Sequence, residues 1–316
     1  MQEVPTAQLL HYLPDRRLIS QLNSFACARR VSLYLVGGCV RDLLLKRPVN
    51  DLDFALERDA LSFARDFAGI LGAAFVTLEE QLPTARVVIR ESDFALDFAQ
   101  FRGGSVEEDL RLRDLSINAI GIELASLAAQ PLVQLVDPCN GLSDLSAGQL
   151  RFPSEQVVLD DPLRLLRVYR FAAQLGFTIP EETVHLISRH KNLLNQVEST
   201  KVSREAVASE RVRDELIKIL DTAHAAECLR QMDEISVLSQ ILPEIESMRG
   251  VRQDDSHHLD LWEQSLLALE MFEERSAPET LNPYHREIRD YLDTNLVSRL
   301  KRETVLKLAL ILLNIK

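Results

Sequence analysis

Between Val31 and about Val136 the chain alternates short β-rich runs with amphipathic stretches. The runs VSLYLVG, DLDFAL, AAFVTL, ARVVIR, DFALDFAQF and LVQLVD are six to nine residues rich in branched and aromatic side chains and bounded by turn residues, the pattern of strands. Residues 59–71 repeat their apolar positions every three to four residues and predict a helix between two of those strands. After about Leu142 the β-rich runs stop. Apolar positions then recur at helical spacing through LRLLRVYRFAAQL, ETVHLISRH, REAVASERVRDELIKIL and AAECLRQM. A polar stretch, SMRGVRQDDSHH, precedes a last helical region that ends in the apolar run VLKLALILLNIK, which has no cap and reads as interrupted. The expectation is an α+β protein: a mixed sheet with helices over 1–141, an all-helical region over 142–250, and a further helical unit begun over 251–316.

Composition narrows the function. A hydrophobic content of 46% over 316 residues supplies packed cores for two or three domains. Forty-eight acidic against 36 basic side chains give a net charge of −12, the wrong sign for a protein that holds nucleic acid by a broad electrostatic surface. Any such contact has to be local. The opening MQEVPTAQLLHYLPDRR lacks a basic segment followed by an unbroken apolar one, and no window approaches the roughly 20 apolar residues of a spanning helix, so a cytoplasmic address and no membrane contact are expected. Four cysteines stand far apart without a CxxC pair, which argues against a zinc knuckle or a disulfide framework.

The densest chemistry lies in LVGGCVRDLLLKRPVNDLDFAL, where a strand ends at Gly37-Gly38, a short helix follows and a second strand opens with Asp51-Leu52-Asp53. Carboxylates spaced i, i+2 on a strand share a face and repel, whereas hard oxygen ligands are what Mg²⁺ requires. Asp51 and Asp53 are therefore metal-ligand and catalytic candidates. Asp97, in the strand DFALDFAQF, is a candidate third catalytic carboxylate. Gly37 and Gly38 permit close backbone approach to a phosphate, with Arg41 on the following helix as a further phosphate candidate. Taken singly, the aspartates could be an exposed strand start and the glycines an ordinary turn.

The order Gly-Gly-x-Val-Arg-Asp-x-Leu, then Asp-x-Asp, resembles the first motif of the class II tRNA nucleotidyltransferase and bacterial poly(A) polymerase family, and most of all its bacterial CCA-adding members. The resemblance implies a nucleotidyltransferase palm at the N-terminus with helical neck and body domains behind it, two-metal phosphoryl transfer with Mg²⁺, CTP and ATP as substrates, and tRNA as partner. EEDLRLRDLSINAIGIEL is similar to the stretch in which the family lines the sugar and phosphate side of its nucleotide pocket. The matching positions are Arg113, Asp114 and Asn118, for which a salt-bridged helix start is the competing reading. Leu112 stands where the family has an arginine, with Arg111 beside it as a replacement, and Leu115 stands where it has phenylalanine. Asp137, Gly141, Asp144 and Leu145 match a following structural hinge.

In VLDDPLRLLRVYRFAAQLGF, Asp161, Arg164 and Arg167 lie three apart and are expected on one helical stripe. Asp161 and Arg164 match the family pair that hydrogen-bonds to the Watson–Crick edge of the incoming base, and Asp160 replaces a glutamate. Arginine donors suit the carbonyl and ring nitrogen of cytosine, while a carboxylate accepts from an exocyclic amine that adenine also carries. The competing reading makes Asp161 the cap of a helix begun by Pro162, with Arg164 as an ion-pair partner. Lys201, Arg204 and Arg211, with Arg213, are candidates for a local strip on RNA phosphates, with a solvated helix face as the competing reading.

The string HHLDLWEQSLLALEMF resembles the opening of an HD-type domain, with Gln264 and Asn314 standing where metal-binding histidine and His-Asp positions are expected; no working phosphohydrolase is expected there, and His257 and His258 read as a helix start. Poly(A) polymerases of the family carry a Gly-Arg-Arg-Phe-like stretch that is missing between Leu56 and Val88, which favours tRNA end synthesis. A CTP-to-ATP switch would use a mobile loop expected at LEEQLPTARVVI. The alternatives are CC-adding or A-adding activity, then poly(A) synthesis, then a non-catalytic tRNA-binding protein.

Overall fold

A computed structural model describes residues 3–13, 15–79, 82–89, 94–195, 209–252, 258–276, 284–297 and 300–313. The chain divides into two compact units, Met1–Val157 and Val158–Lys316. The first is built on an eight-stranded sheet. Its strands are β1 (Glu3–Pro5), β2 (Leu33–Val36), β3 (Asp51–Leu56), β4 (Ala74–Glu79), β5 (Thr84–Ile89), β6 (Phe94–Gln100), β7 (Gly121–Glu123) and β8 (Leu132–Val136), in the order β1-β8-β7-β2-β3-β6-β5-β4. All six predicted strands are present. The sequence reading missed β1 and β7, each only three residues long, too short for a period to register.

β3 and β6 pair in parallel, whereas the other neighbours pair antiparallel. A parallel pair needs a crossover, and the predicted helix, Ala60–Leu71, lies within it. Its buried face, Phe63, Ala64 and Phe67, packs against Phe98 of β6, which stacks on Phe54 of β3. This aromatic layer fixes the register of the central strands from beneath: a one-residue slip would turn the buried Leu52, Phe54 and Leu56 outward. The sheet itself also corrects the loop reading. LEEQLPTARVVI is mostly hairpin: Leu78 and Glu79 end β4, and Thr84–Ile89 form β5, because the alternating Ala85 and Val87 find a buried face.

The second unit is mainly helical. Helix Arg164–Leu175 buries Leu165, Leu166, Val168, Tyr169 and Phe171, and packs against helices Ser209–Leu220 and Ala225–Glu234. Helices Leu261–Ser276, His285–Leu292 and Arg302–Leu312 follow, and a short antiparallel pair, β9 (Asn295–Val297) and β10 (Leu300–Lys301), departs from the helical expectation for 251–316. Buried Lys307 locks this end by donating to the Thr222 carbonyl at 2.6 Å and to Glu273 at 2.8 Å. No helix among the described residues is long and apolar enough to cross a membrane.

Candidate active site

β3 opens the site. Leu52 points into the core, so Asp51 and Asp53 share the opposite face, Asp51 exposed and Asp53 partly buried. The parallel register sets Asp53 opposite Asp97 of β6, and the antiparallel register of β5 sets Arg86 opposite Asp97. Arg86 grips that carboxylate with both arms, Nε to Oδ1 at 2.8 Å and Nη2 to Oδ2 at 2.7 Å. Burial pushes the Asp53 carboxyl up to about 6, Asp97 and Asp51 push the same way, and Arg113 and Arg86 offset part of the rise.

The glycine turn closes over these carboxylates. Gly37 follows β2 with φ of +81°, a region closed to most side chains, and caps the helix Gly38–Leu44. A Cβ at Gly37 would lie 3.0 Å from Arg113 Nη1 and 3.3 Å from Asp53 Oδ2, so the bare backbone, a guanidinium and a carboxylate converge on one spot. Arg113 is held there from behind: its Nε and Nη2 donate to Asp109, at 3.3 and 3.0 Å, and Arg102 Nε donates to the same buried side chain. Burial by itself would raise Asp109, but Arg113 and Arg102 outweigh it and leave the carboxyl below its usual range.

Arg41 is buried and spans two motifs. Its Nε and Nη2 pair with Asp42 at 2.9 and 2.8 Å, and its Nη1 donates to Asn118 Oδ1 at 2.8 Å. Asn118 in turn donates to Asp114 Oδ1 at 3.0 Å, which also accepts from the Leu115 amide. Asn118 and Asp114 thus brace Arg41 through buried hydrogen bonds. Arg111 does not replace the guanidinium lost at Leu112, because its Nη1 is turned to the Pro138 carbonyl at 2.8 Å. The matched hinge is a clasp. Asp137 caps the Gly141 and Leu142 amides, and Asp144 binds Ser116 and Arg151.

The donor set suits a divalent cation. Two oxygen-only side chains on one face, with Asp53 raised by burial and then by Asp97 and Asp51, gain from any nearby positive charge, and Mg²⁺ prefers a few carboxylates with substrate and water completing its shell. Among the described residues no group of three or more His, Cys, Asp and Glu is arranged to hold a metal. Asp97 faces Arg86 instead of completing such a group.

In the second unit the helix begins at Arg164, so Asp161 lies in the turn before it. Asp161 Oδ1 accepts from the Leu163 amide at 3.3 Å, the geometry of a cap, and its Oδ2 pairs at 2.8 Å with Arg211, a residue expected on RNA. Asp161, Arg164 and Arg167 are each partly exposed and are separated by the buried pairs Pro162-Leu163 and Leu165-Leu166, so the three residues keep one stripe although only the two arginines are helical. Glu215, buried, ties Arg170 to this helix pair at 2.7 Å. Arg213 pairs with Asp214 on the surface. Lys201, Arg204, His257 and Asn314 lie outside the described residues. His258 is exposed, and Gln264 donates to the Leu259 carbonyl.

Sequence reasoning overlooked Arg86, Arg102 and Asp109. For Arg86 a signal was present: a lone charge in the apolar strand run ARVVI.

A mixed sheet presenting two aspartates beside a glycine turn, with an arginine braced over both, defines a nucleotidyltransferase palm. Residues 33–151 match the poly A polymerase head domain, and residues 176–249 match the probable RNA and SrmB-binding site of polymerase A. Together the two matches take in more than half of the chain, and it belongs to this nucleotidyltransferase family. Among curated relatives, the CC-adding tRNA nucleotidyltransferase of Geobacter sulfurreducens is 38% identical over 66% of this chain and 45% of its own length. The A-adding tRNA nucleotidyltransferase of Halalkalibacterium halodurans is 36% identical over 54% and 42%. The matched part thus spans less than half the length of either relative. Among solved structures, the Thermotoga maritima CCA-adding enzyme complexed with tRNA is similar with a TM-score of 0.67 at 25% identity, over 98% of this chain and 83% of that one.

Proposed function

We propose that the chain adds CMP and AMP from CTP and ATP to the tRNA 3′ end without a nucleic-acid template. The observation that carries this reading is the convergence of Asp53 and Arg113 on the side-chain-free Gly37, where a Cβ would stand 3.3 Å from the carboxylate and 3.0 Å from the guanidinium. Asp51 and Asp53 would hold Mg²⁺, with Asp97 on the neighbouring strand as a third catalytic carboxylate. When bound, Mg²⁺ supplies neutralisation of triphosphate charge and acidifies the attacking 3′ hydroxyl. Gly37 and Gly38 leave room for phosphate oxygens, and Arg113, locked by Asp109, presents a fork to them. Arg41, Asp114 and Asn118 keep that wall in place. Asp161 and Arg164, beside Arg167, read the amine-bearing edge common to cytosine and adenine. Arg211, with Lys201 and Arg204, contacts RNA phosphates, so that an acidic protein engages tRNA through a local strip. Such a substrate places the reaction in the cytoplasm.

The 38% identity to a CC-adding relative supports a second reading, addition of the two cytidylates only. Purified protein with three tRNA transcripts, ending before CCA, after C and after CC, separates the readings when each receives Mg²⁺ and labelled CTP or ATP. Incorporation of both nucleotides supports CCA addition. CTP use only selects the CC-adding reading, ATP use on the last transcript without any CTP use selects A addition, and no incorporation anywhere removes the enzymatic reading. Asp53→Ala should abolish incorporation while tRNA affinity stays within a few fold, as filter binding would measure.

A further inference from the structure

Arg86 is not among the residues assigned to the proposed chemistry, yet it flanks the carboxylate cluster. Register puts it there: β5 runs antiparallel to β6, Arg86 faces Asp97, and Asp97 faces Asp53 on the other side. Both of its hydrogen bonds among the described residues go to Asp97, in the two-armed geometry that makes arginine–carboxylate pairs strong. Arg41 and Arg113 are anchored differently. Each is tied to residues away from the carboxylate cluster, Arg41 to Asp42 and Asn118 and Arg113 to Asp109, and their side chains are only 10% and 17% exposed. The Arg86 side chain is 41% exposed against 16% for Asp97, so the guanidinium can leave for water while the carboxylate stays in the site.

We propose that Arg86 is the resident counter-ion of this cluster, a latch that engages Asp97 in the metal-free protein and gives it up when a divalent cation arrives. The proposal rests on the reading of Asp51 and Asp53 as metal ligands. It makes Arg86 a positioning residue: by holding Asp97 it keeps three neighbouring carboxylates from repelling one another, and by competing for Asp97 it weakens metal binding. A purely structural clasp between β5 and β6 would affect folding without competing with a metal.

The test is a Mn²⁺ titration of nucleotide-free protein followed by electron paramagnetic resonance, on wild type, Arg86→Met, Asp97→Asn and the double variant. Removing the competing charge-assisted pair should tighten Mn²⁺ binding about tenfold in Arg86→Met. The gain should shrink to about twofold or less when Asp97 is already Asn, since the competition acts through that side chain. Arg86→Lys, which keeps the charge but loses the fork, should tighten binding about threefold and covers the case in which the methionine variant misfolds. Unchanged or weaker affinity in both Arg86 variants overturns the latch, as does an equal gain with and without Asp97. Failure of wild type to bind Mn²⁺, or binding that persists in Asp53→Asn, is a different result: it removes the metal reading itself, and the latch with it.

Discussion

At the scale of single residues, Asp53 carries the sharpest electrostatic signature. Its folded value of about 6 lies above the ordinary 3.8, so the folded protein holds this proton more tightly than the unfolded chain does. The stability it contributes is complete below 3.8, is lost as pH rises through 6, and leaves the ionised group a net cost on the order of 3 kcal/mol above that. Asparagine cannot ionise. In EDTA, the melting temperature of Asp53→Asn minus that of wild type should therefore grow from pH 4 to about pH 7 and then level off; a difference that stays flat across this range would contradict the crowding of Asp53 by burial, Asp97 and Asp51. The residue itself was legible from sequence, because Asp-x-Asp on a strand after a Gly-Gly turn states its own chemistry. Its environment was not: Arg86 and Asp97 are 11 residues apart and meet only through a hairpin, and Arg41 and Asn118 are 77 apart.

At the scale of elements, the glycines show how segments are locked together. The helix Gly141–Ala147 sits so close to the turn Ser116–Asn118 that a Cβ at Gly141 would overlap the Ser116 carbonyl oxygen. Gly141→Ala must push these backbones apart and should cost at least about 2 kcal/mol in urea unfolding, with incorporation falling as Asn118 loses its grip on Arg41. Wild-type stability in this variant would mean that the clasp has slack. The strands and the long helices were readable because their apolar periods are long and unambiguous. The three-residue strands β1 and β7 and the setting of Asp161 depend on partners distant in sequence, while β9 and β10 pair locally but are too short for a period to register. Proline is also at work in the last case: Pro162 starts a turn, and regular helix is delayed to Arg164.

At the scale of the whole molecule, the proposed chemistry and the proposed base reading belong to different compact units, Asp51 and Asp53 to the first and Asp161 and Arg164 to the second. The base-reading stretch also falls between the two family-matched segments, which end at 151 and resume at 176. Such a division predicts separable defects. Arg164→Ala should change the ratio of CTP to ATP use by about tenfold or more, the worth of one charge-assisted hydrogen bond, while leaving the melting temperature within a few degrees. An unchanged ratio would return Arg164 to a role in helix-start ion pairing.

The central place of β3, with β2 on one side and β6 on the other, has a consequence for breathing motions. Local opening starts at sheet margins such as β1 and β4, and amide hydrogens there exchange with solvent first. The backbone that bears the two aspartates is sewn into the interior of the sheet and is among the last to let go. The spacing between those carboxylates is therefore insulated from fraying of the domain, and the protein can loosen at its rims without losing the geometry on which its chemistry depends.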